Sequence, residues 1–586
     1  MGVVYLHSFV KQNVPNGSFP INIKDEIRAH YNKTKTPPII VMDLMCLVRP
    51  FIRVDKSGVI CGGRFNEMSR HMDTFFSELV NLGVKLHFFC DGPVRMMSPE
   101  AWCKRADDRY RQMINLMDAI DAGDSFETLG TYKLPFHYVS AVEQSAMRHG
   151  EYHWATAREC DQEMAAFAKE TGALAIMTND SDMLIYEGSW RFWCVHELSV
   201  TKFTMMEYDR VALRAHLGLD PAQMPLLATL VGNDLVDSKA LGNFHHRIGR
   251  HSNGHRGKNN ISNVAMFIKE HMDLTDERIL IEALEFCVNR RALMERFRES
   301  LGCYRMNYRA FNERYQHDPI ETILMSRKVS LFYQMWHMNN IECPTHMIDL
   351  REELLGQAVL RLKISLIIRM GGVILHQRQM QRRMVDYSEC HIMTKLHHTA
   401  EYTVHHYSVE FPDRVQPPSL EELLSNDPVS QQDLLHVKHN LVSWIVSDRL
   451  DHSLLEAIPL SLQTTVLTLY CLVERRILKL FEADLLLRVA YDVAFDRYDP
   501  ETIPYPRTVA SRPFRVAFVF QEVHSRIAEA YILVGLSNDL VEAPPLFDGV
   551  LFHNRYADWQ NGLDPLLMDG IEQLRIYSSI AEREEA

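Results

Sequence analysis

The chain has no apolar run near the roughly 20 residues that a membrane-spanning helix needs, so no membrane partner is expected. Its opening residues, Met1-Gly-Val-Val-Tyr-Leu-His, hold no basic stretch, and Leu6 stands where a myristoylation signal wants Ser or Thr. Neither a secretory nor a lipidation signal is read there. The eleven cysteines include no CxxC pair. Without a secretion signal they read as reduced thiols, and the expected compartment is the cytoplasm, the nucleus or both. Positive charge is also short: 63 Lys and Arg face 76 Asp and Glu, a net −13. A protein that coats duplex nucleic acid without specificity would be basic, so any such contact must be a local patch. There is no internal repeat and no low-complexity tract.

What is present is an ordinary globular composition, 46% hydrophobic and 24% charged over 586 residues. That length supports several domains. The charge is uneven. Residues 1–260 are near neutral, with 29 basic and 30 acidic side chains, and the remainder holds 34 against 46. The acidic C-terminal half suits protein partners.

Short apolar runs alternate with helical spacing through the first half. Ile39–Met42 reads as a strand ending at Asp43, and Val84–Cys90 as a second ending at Asp91-Gly92-Pro93. Leu134–Val139 is a candidate third, and Ala173–Met177 a fourth, followed by Asp180-Ser181-Asp182. Helical spacing covers Met68–Leu82, Pro99 to about Ile120, Tyr152–Glu170, Met206–Leu217 and Pro221–Val231. Cys61-Gly-Gly-Arg-Phe65 reads as a turn. This alternation predicts a central, mostly parallel sheet. Ligands of such sheets bind beyond the carboxyl ends of the strands, which is where Asp43, Asp91, Asp180 and Asp182 fall. Residues 247–262 read as a mobile loop, and the chain beyond 264 as mainly helical. The division expected is 1–260, a helical extension over 261–410, a linker over 411–432, and a helical interaction domain over 433–586.

The acids carry the chemistry. In an extended segment residues i and i+2 point the same way, so Asp180 and Asp182 can face one point. Carboxylates crowded at the end of a buried strand repel, and a divalent cation relieves that cost. The alternative is a solvated loop with helix-capping aspartates. Glu159 and Asp161 lie about 200° apart on one helix, so they share a site only if the helix begins between them. Capping is again the alternative. Glu163 is either a supporting acid or solvated. Asp234 and Asp237 follow Gly232 at a spacing that is close on a helix face.

Asp43 and Asp91-Gly92 after apolar strands, Glu159-x-Asp161, Asp180-x-Asp182 and Gly232-Asn-Asp234 resemble, in order and rough spacing, the seven acids of the flap endonuclease/XPG superfamily, with its PIN-like fold. Leu217–Asp234 is similar to that family's helix leading into its last metal acid, and Met1-Gly2-Val3 to its start. The resemblance covers roughly residues 1–245. Gly62-Gly63-Arg64-Phe65-Asn66, Leu217-Gly-Leu-Asp-Pro221, Leu230-Val-Gly-Asn233, Phe244-His245 and the long helical second half look closest to the Asteroid and constitutive-coactivator-of-PPAR-gamma branch. An α/β PIN-like N-terminal domain followed by a mainly helical region is the implied fold.

The implied activity is divalent-metal-dependent endonucleolytic hydrolysis of phosphodiester bonds in single-stranded or structured DNA or RNA, with two Mg²⁺ or Mn²⁺ ions about 4 Å apart. Hard oxygen donors suit those ions, and no Cys/His spacing suits zinc. By the resemblance Asp43, Asp91, Glu159 and Asp161 hold the first ion and Asp180, Asp182 and Asp234 the second. Arg105 matches the family's gateway arginine, and Lys104, Arg109 and Arg111 extend a basic face for nucleic acid; an exposed helix face paired with Asp107 and Asp108 is the other reading.

There are departures from the family. The second gateway lysine falls near Ser98, with Arg95 the basic residue nearby, and Arg49 stands at the base-stacking tyrosine position. The Gly-x-Gly hairpin that grips duplex and K⁺ is degraded to Leu241-Gly-Asn-Phe-His-His-Arg-Ile-Gly-Arg250. Single-stranded DNA or RNA is therefore the expected substrate. Coactivator-type members have often lost acids, and an inactive RNA-binding scaffold is the alternative function. Trp190 and Trp193 read as core before base-stacking platforms. Cys390 and the histidines at 391, 397, 398, 405 and 406 match no zinc template.

Overall fold

Ile39–Asp43 (β2), Lys85–Cys90 (β3) and Ala175–Thr178 (β5) lie side by side as parallel strands in the computed structural model, β2 between the other two. The structure describes residues 2–93, 99–125, 128–129, 137–155, 159–249, 259–285, 287, 290–305, 318–380, 386–425, 427, 432–536, 545–563, 568 and 570–580. Ser18–Asn22 (β1), Glu151–Trp154 (β4), Arg191–Ser199 (β6) and Thr204–Tyr208 (β7) complete a seven-stranded sheet in the order β1-β7-β6-β5-β2-β3-β4. The five strands from β6 to β4 are mutually parallel, and β7 pairs antiparallel with both β6 and β1. The fold is thus α/β with a mostly parallel sheet. From β2 the chain moves outward through β3 to β4, then returns to the other side of β2 as β5. Strand order reverses at the β2–β5 boundary, and open α/β sheets bind ligands at such a boundary.

The inner strands are continuous apolar runs because helices cover them. Ile40, Val41, Met42, Ala175, Ile176 and Met177 have no exposed surface. The helix Cys160–Thr171 packs on β2, β3 and β5 through Met164, Ala165 and Ala168. It starts at Glu159 and stops at Gly172, whose φ of 64° suits a glycine end. Truncating a buried side chain such as Ile176 to alanine would cost about 2–5 kcal/mol.

The chain separates into two compact units, each built from discontinuous segments. The first comprises Met1–Phe51, Met72–Met97 and Ser145–Gln316 and contains the sheet. The second comprises Ile52–His71, Ser98–Gln144 and His317–Ala586. It is mainly helical, with Val359–Met380 and Leu460–Glu474 packed on Ser511–Leu533, and a small sheet of Ile341–Glu342 (β8), Glu389–Thr394 (β9) and Thr403–Ser408 (β10).

Within that second unit, the Gly62-Gly63-Arg64 turn is gripped by residues almost 500 positions away. The Gly62 carbonyl accepts from Gln521 Nε2 at 2.7 Å, and the Gly63 carbonyl from the Gly549 amide at 2.7 Å. Arg64 pairs with Asp548 at 3.0 Å, both buried. Both glycines hold φ near 105°, a conformation other residues avoid.

Several expected elements fall elsewhere. Residues 137–139 begin the helix His137–His149 rather than forming a strand, and 134–136 lie outside the described residues. The third parallel strand is instead β4, which occupies the start of the helix expected from Tyr152. Met206 lies in β7, and the helix there starts at Arg210, capped by Asp209. Leu241–Ile248 carries a short helix, Gly242–Ile248, in which Phe244 and His245 are buried and His245 Nε2 bonds the Leu230 carbonyl at 2.8 Å. Of the loop expected at 247–262, residues 250–258 lie outside the described residues, and Asn259–Glu270 is a helix. No helix among the described residues is long and apolar enough to cross a membrane.

Candidate metal centre

Asp43 is the last residue of β2 and heads the helix Leu44–Ile52. Its carboxylate accepts from the Cys46 amide at 3.3 Å, the Cys46 thiol at 2.7 Å and the Thr178 hydroxyl at 2.7 Å. Thr178, the last residue of β5, also accepts from the Asp180 amide at 3.2 Å. Adjacent parallel strands are thereby locked together at their carboxyl ends. Asp180 then caps a short 3₁₀ turn, Ser181–Leu184, its Oδ1 accepting from the Asp182 amide at 2.9 Å. The two aspartates do not converge by strand alternation, since β5 ends at Thr178. They converge because one caps the turn that carries the other.

Glu159 occupies the N-cap of the helix whose first turn carries Asp161. The helix does begin between them. Asp234, by contrast, follows Gly232 in an irregular segment, and Asp237 is exposed and binds the Lys239 amide at 2.9 Å. These two do not share a helix face. Gly232 holds φ 108°, and Asn233 folds its side chain back onto the amides of Leu235 and Val236 at 3.1 and 3.0 Å.

The acids stand within electrostatic reach of one another. Burial, then repulsion from Asp180, Asp43 and Asp182, pushes the Asp161 carboxyl well above the ordinary aspartate range. Burial, then Asp180, does the same to Asp182, with Asp234 adding to it. Asp43 is raised by burial and by Asp91, despite its hydrogen bonds. Burial would raise Asp180 too; hydrogen bonds from the Asp182 amide and the Asp161 carboxyl are among the interactions that hold it low instead. Asp43, Asp91, Asp161, Asp180, Asp182 and Asp234 thus form one repelling chain of charge. Asp180 is buried, Asp43, Glu159, Asp161 and Asp182 are half-buried, and Asp91 and Asp234 are exposed.

Two features crowd this cluster. A Cβ on Gly2, whose φ is +62°, would come within 2.2 Å of Asp180 Oδ1 and 2.9 Å of Asp182 Oδ1. The Val4 amide donates to the Gly232 carbonyl at 3.1 Å, and the Ser181 hydroxyl to the Val3 carbonyl at 3.3 Å, so this segment is sewn against the acids. On another side the helix Arg290–Tyr304 presents Tyr304, whose hydroxyl donates to Asp182 Oδ1 at 2.9 Å and accepts from Asn233 Nδ2 at 3.2 Å. Asn233 Nδ2 also reaches Ser300 Oγ at 2.8 Å, and the Tyr186 and Tyr304 rings stack obliquely at 5.3 Å. Sequence spacing gave no sign of Tyr304, Ser300 or Tyr186.

The donor set fits hard divalent cations: all carboxylate oxygen, crowded and destabilised when charged. The oxygens stand apart, however. Among the described residues no three of these acids offer one atom each within 4.8 Å of one another. To share an ion they would close in or reach it through water.

Lys104, Arg105, Arg109 and Arg111 lie on the helix Pro99–Asp121 in the second unit. Lys104, Arg109 and Arg111 are exposed and Arg105 is half-buried. Arg111 pairs with Asp108 at 2.8 Å, while Asp107 pairs with Lys395 at 2.9 Å. Arg49 is exposed in the first unit, and Arg95 and Ser98 lie outside the described residues. Trp190 and Trp193 are core side chains, Trp193 bonding Glu207 at 3.2 Å.

Sheet topology and acid placement define an α/β fold with an acidic centre at its switch point. A family described as the FAM120A-like domain matches residues 217–307, the stretch from the Leu217 helix end past Tyr304. The chain is similar to the bovine constitutive coactivator of peroxisome proliferator-activated receptor gamma, 26% identical over 276 residues, which are 46% of this chain and 39% of that protein. The human protein of that name is 27% identical over 250 residues, 42% of this chain and 27% of its own length. The matched region therefore spans less than two-fifths of these relatives. Among solved structures the catalytic core of Rad2 in complex with DNA substrate is 17% identical, with a TM-score of 0.28, covering 52% of this chain and 80% of that one. The sequence relatives are proteins of the constitutive-coactivator branch that the sequence resemblance names.

Proposed function

We propose that the first unit is a divalent-metal-dependent endonuclease acting on single-stranded nucleic acid. The carrying observation is the convergence of six aspartates at the β2–β5 switch point, where burial and neighbouring carboxylates raise Asp43, Asp161 and Asp182 above the ordinary aspartate range. Such crowding is costly unless a cation shares it. Asp43, Asp91, Glu159 and Asp161 on one side, and Asp180, Asp182 and Asp234 on the other, would hold two Mg²⁺ or Mn²⁺ ions. When bound, such ions activate water and neutralise charge on the attacked phosphate. The chain's own part is to orient. Thr178 and the Cys46 amide fix Asp43, the Asp180–Asp182 cap fixes the pair, and Tyr304 holds the Asp182 rotamer. The helix over Gly242–Ile248, with Phe244 and His245 committed to the core, argues against a duplex-gripping hairpin and for single strands. On the second unit, Lys104, Arg105, Arg109 and Arg111 form a basic helix face that we assign by itself to nucleic-acid phosphates.

A second reading is a non-cleaving nucleic-acid-binding scaffold. It draws on the name of the relatives, coactivator, and on the Tyr304 hydroxyl occupying one Asp182 oxygen. Protein partners would then dock on the acidic helical half. Cleavage of labelled single-stranded DNA and RNA, with and without Mg²⁺ or Mn²⁺, separates the two. The nuclease reading expects metal-dependent cleavage by wild type and none by Asp180→Asn. Binding without cleavage under either metal hands the case to the scaffold.

A further inference from the structure

At the far edge of the sheet from β1, β3 and β4 pair in parallel with His87 opposite Glu151 and Phe89 opposite His153. Residues two apart on a strand share a face, so His87, Glu151 and His153 rise on one side. Their donor atoms meet there. His87 Nδ1 lies 3.1 Å from His153 Nε2 and 3.6 Å from Glu151 Oε2, and one atom from each residue falls within a 4.8 Å group. In a tetrahedral site with metal–ligand bonds of about 2.0–2.1 Å, ligand atoms stand about 3.3–3.4 Å apart. The observed separations straddle that edge length.

The imidazoles are also held in place. The His153 ring stacks on Phe89 with centroids 4.5 Å apart, and the Phe167 ring packs at 4.7 Å from His87 and 5.2 Å from His153. His87 is buried, His153 half-buried and Glu151 exposed, so the group has an apolar floor and an open side. Burial keeps both histidines below their ordinary pKa, which leaves their lone pairs available at neutral pH.

We propose that His87, Glu151 and His153 form a second, zinc-class metal site, separate from the aspartate cluster, with water in the fourth position. Two imidazoles and one carboxylate are a borderline donor set that suits Zn²⁺ over Mg²⁺. The ion would fasten β4, an edge strand of only four residues, to β3. This inference does not depend on the nuclease reading.

The test is Co²⁺ titration of the chelator-treated full chain near neutral pH, in saturating Mg²⁺ to fill all-oxygen sites, followed by Zn²⁺ displacement. One equivalent of Co²⁺ with a visible absorption band, displaced by Zn²⁺, is expected. Glu151→Gln, an exposed change that leaves the fold intact, and His153→Ala should each weaken binding by about ten-fold or more, while Asp180→Asn leaves it unchanged. No stoichiometric band overturns the site. So does a band unmoved by Glu151→Gln, or one lost in Asp180→Asn, which would place the ion among the aspartates.

Discussion

The Tyr304 hydroxyl donates to Asp182 Oδ1 at 2.9 Å across 122 residues of chain. It joins the end of the stretch that matches a FAM120A-like domain to the acid cluster formed at the sheet. Tyr304→Phe removes that donor and deprives Asn233 of one of its two acceptors. The expected cost is about 1–2 kcal/mol of stability, measured by chemical denaturation. If Asp182 holds a metal, apparent affinity for Mn²⁺ should also fall about 10–100-fold. Unchanged metal-induced thermal stabilisation in the variant would remove Tyr304 from the site's support.

Asp161→Asn should stabilise the metal-free chain, on the order of 1 kcal/mol, while abolishing cleavage. The wild-type carboxyl has its folded pKa raised by burial and by Asp180. Its folded form therefore keeps a proton that the unfolded chain has lost. Its stability contribution falls as pH climbs from about 4 through the raised value. Asp180 acts oppositely, but its folded pKa lies below the ordinary one, so its loss comes at lower pH. In EDTA the variant's advantage should thus grow between mildly acid and neutral pH, and saturating Mg²⁺ should erase it. A variant less stable than wild type at neutral pH in EDTA would refute the crowding argument.

Gly92→Ala should destabilise by about 1–3 kcal/mol or more. A Cβ there would meet the Ala155 carbonyl oxygen at 1.4 Å, just past the point where the Ala155 amide bonds Cys90 O at 3.0 Å. Backbone must give way, and Asp91 moves with it. Loss of cleavage with an unchanged melting temperature would show instead that the glycine matters only for the acid beside it.

Asp548→Ala should cost about 3–5 kcal/mol, because it strands a buried guanidinium. Among the described residues the Arg64 guanidinium keeps the Tyr505 hydroxyl at 3.2 Å and the Pro500 carbonyl at 2.6 Å, neither of them charged, and the helix Gly549–Gln560 loses its cap on Leu551 at 3.0 Å. Replacing both partners with apolar residues should recover part of the loss. A single variant that melts within a degree of wild type would mean that the pair contributes nothing.

The acids were legible because each follows an apolar run or opens a helix, and little besides metal chemistry asks for that pattern repeatedly along one chain. The parallel pairing of β2, β3 and β5 agrees with the strand–helix alternation, whereas the placing of β2 between the other two was not encoded in that pattern. The outer strands were not legible. β1, Ser18-Phe-Pro-Ile-Asn22, carries a proline, and β7, Thr204-Met-Met-Glu-Tyr208, uses methionines that also suit helices. Both are set by pairing with each other and with β6, and local propensity does not encode that. Asp180 and Asp182 were expected to meet for the wrong reason, strand alternation, when a capped turn brings them together. Tyr304 was beyond reach because nothing near it in sequence shares its role. The Gly62-Gly63-Arg64 motif, read as a family marker, proves to be a receptor for the Asp548 helix.

That last arrangement orders events in time. Arg64 and Asp548 are 484 residues apart, and ribosomes add about 5–20 residues per second. The arginine therefore leaves the ribosome roughly 25–100 s before its counter-ion exists. During synthesis Phe65 can already meet Tyr138, but the Gly62-Gly63-Arg64 turn waits for Gln521, Asp548 and Gly549 before its own hydrogen bonds can close.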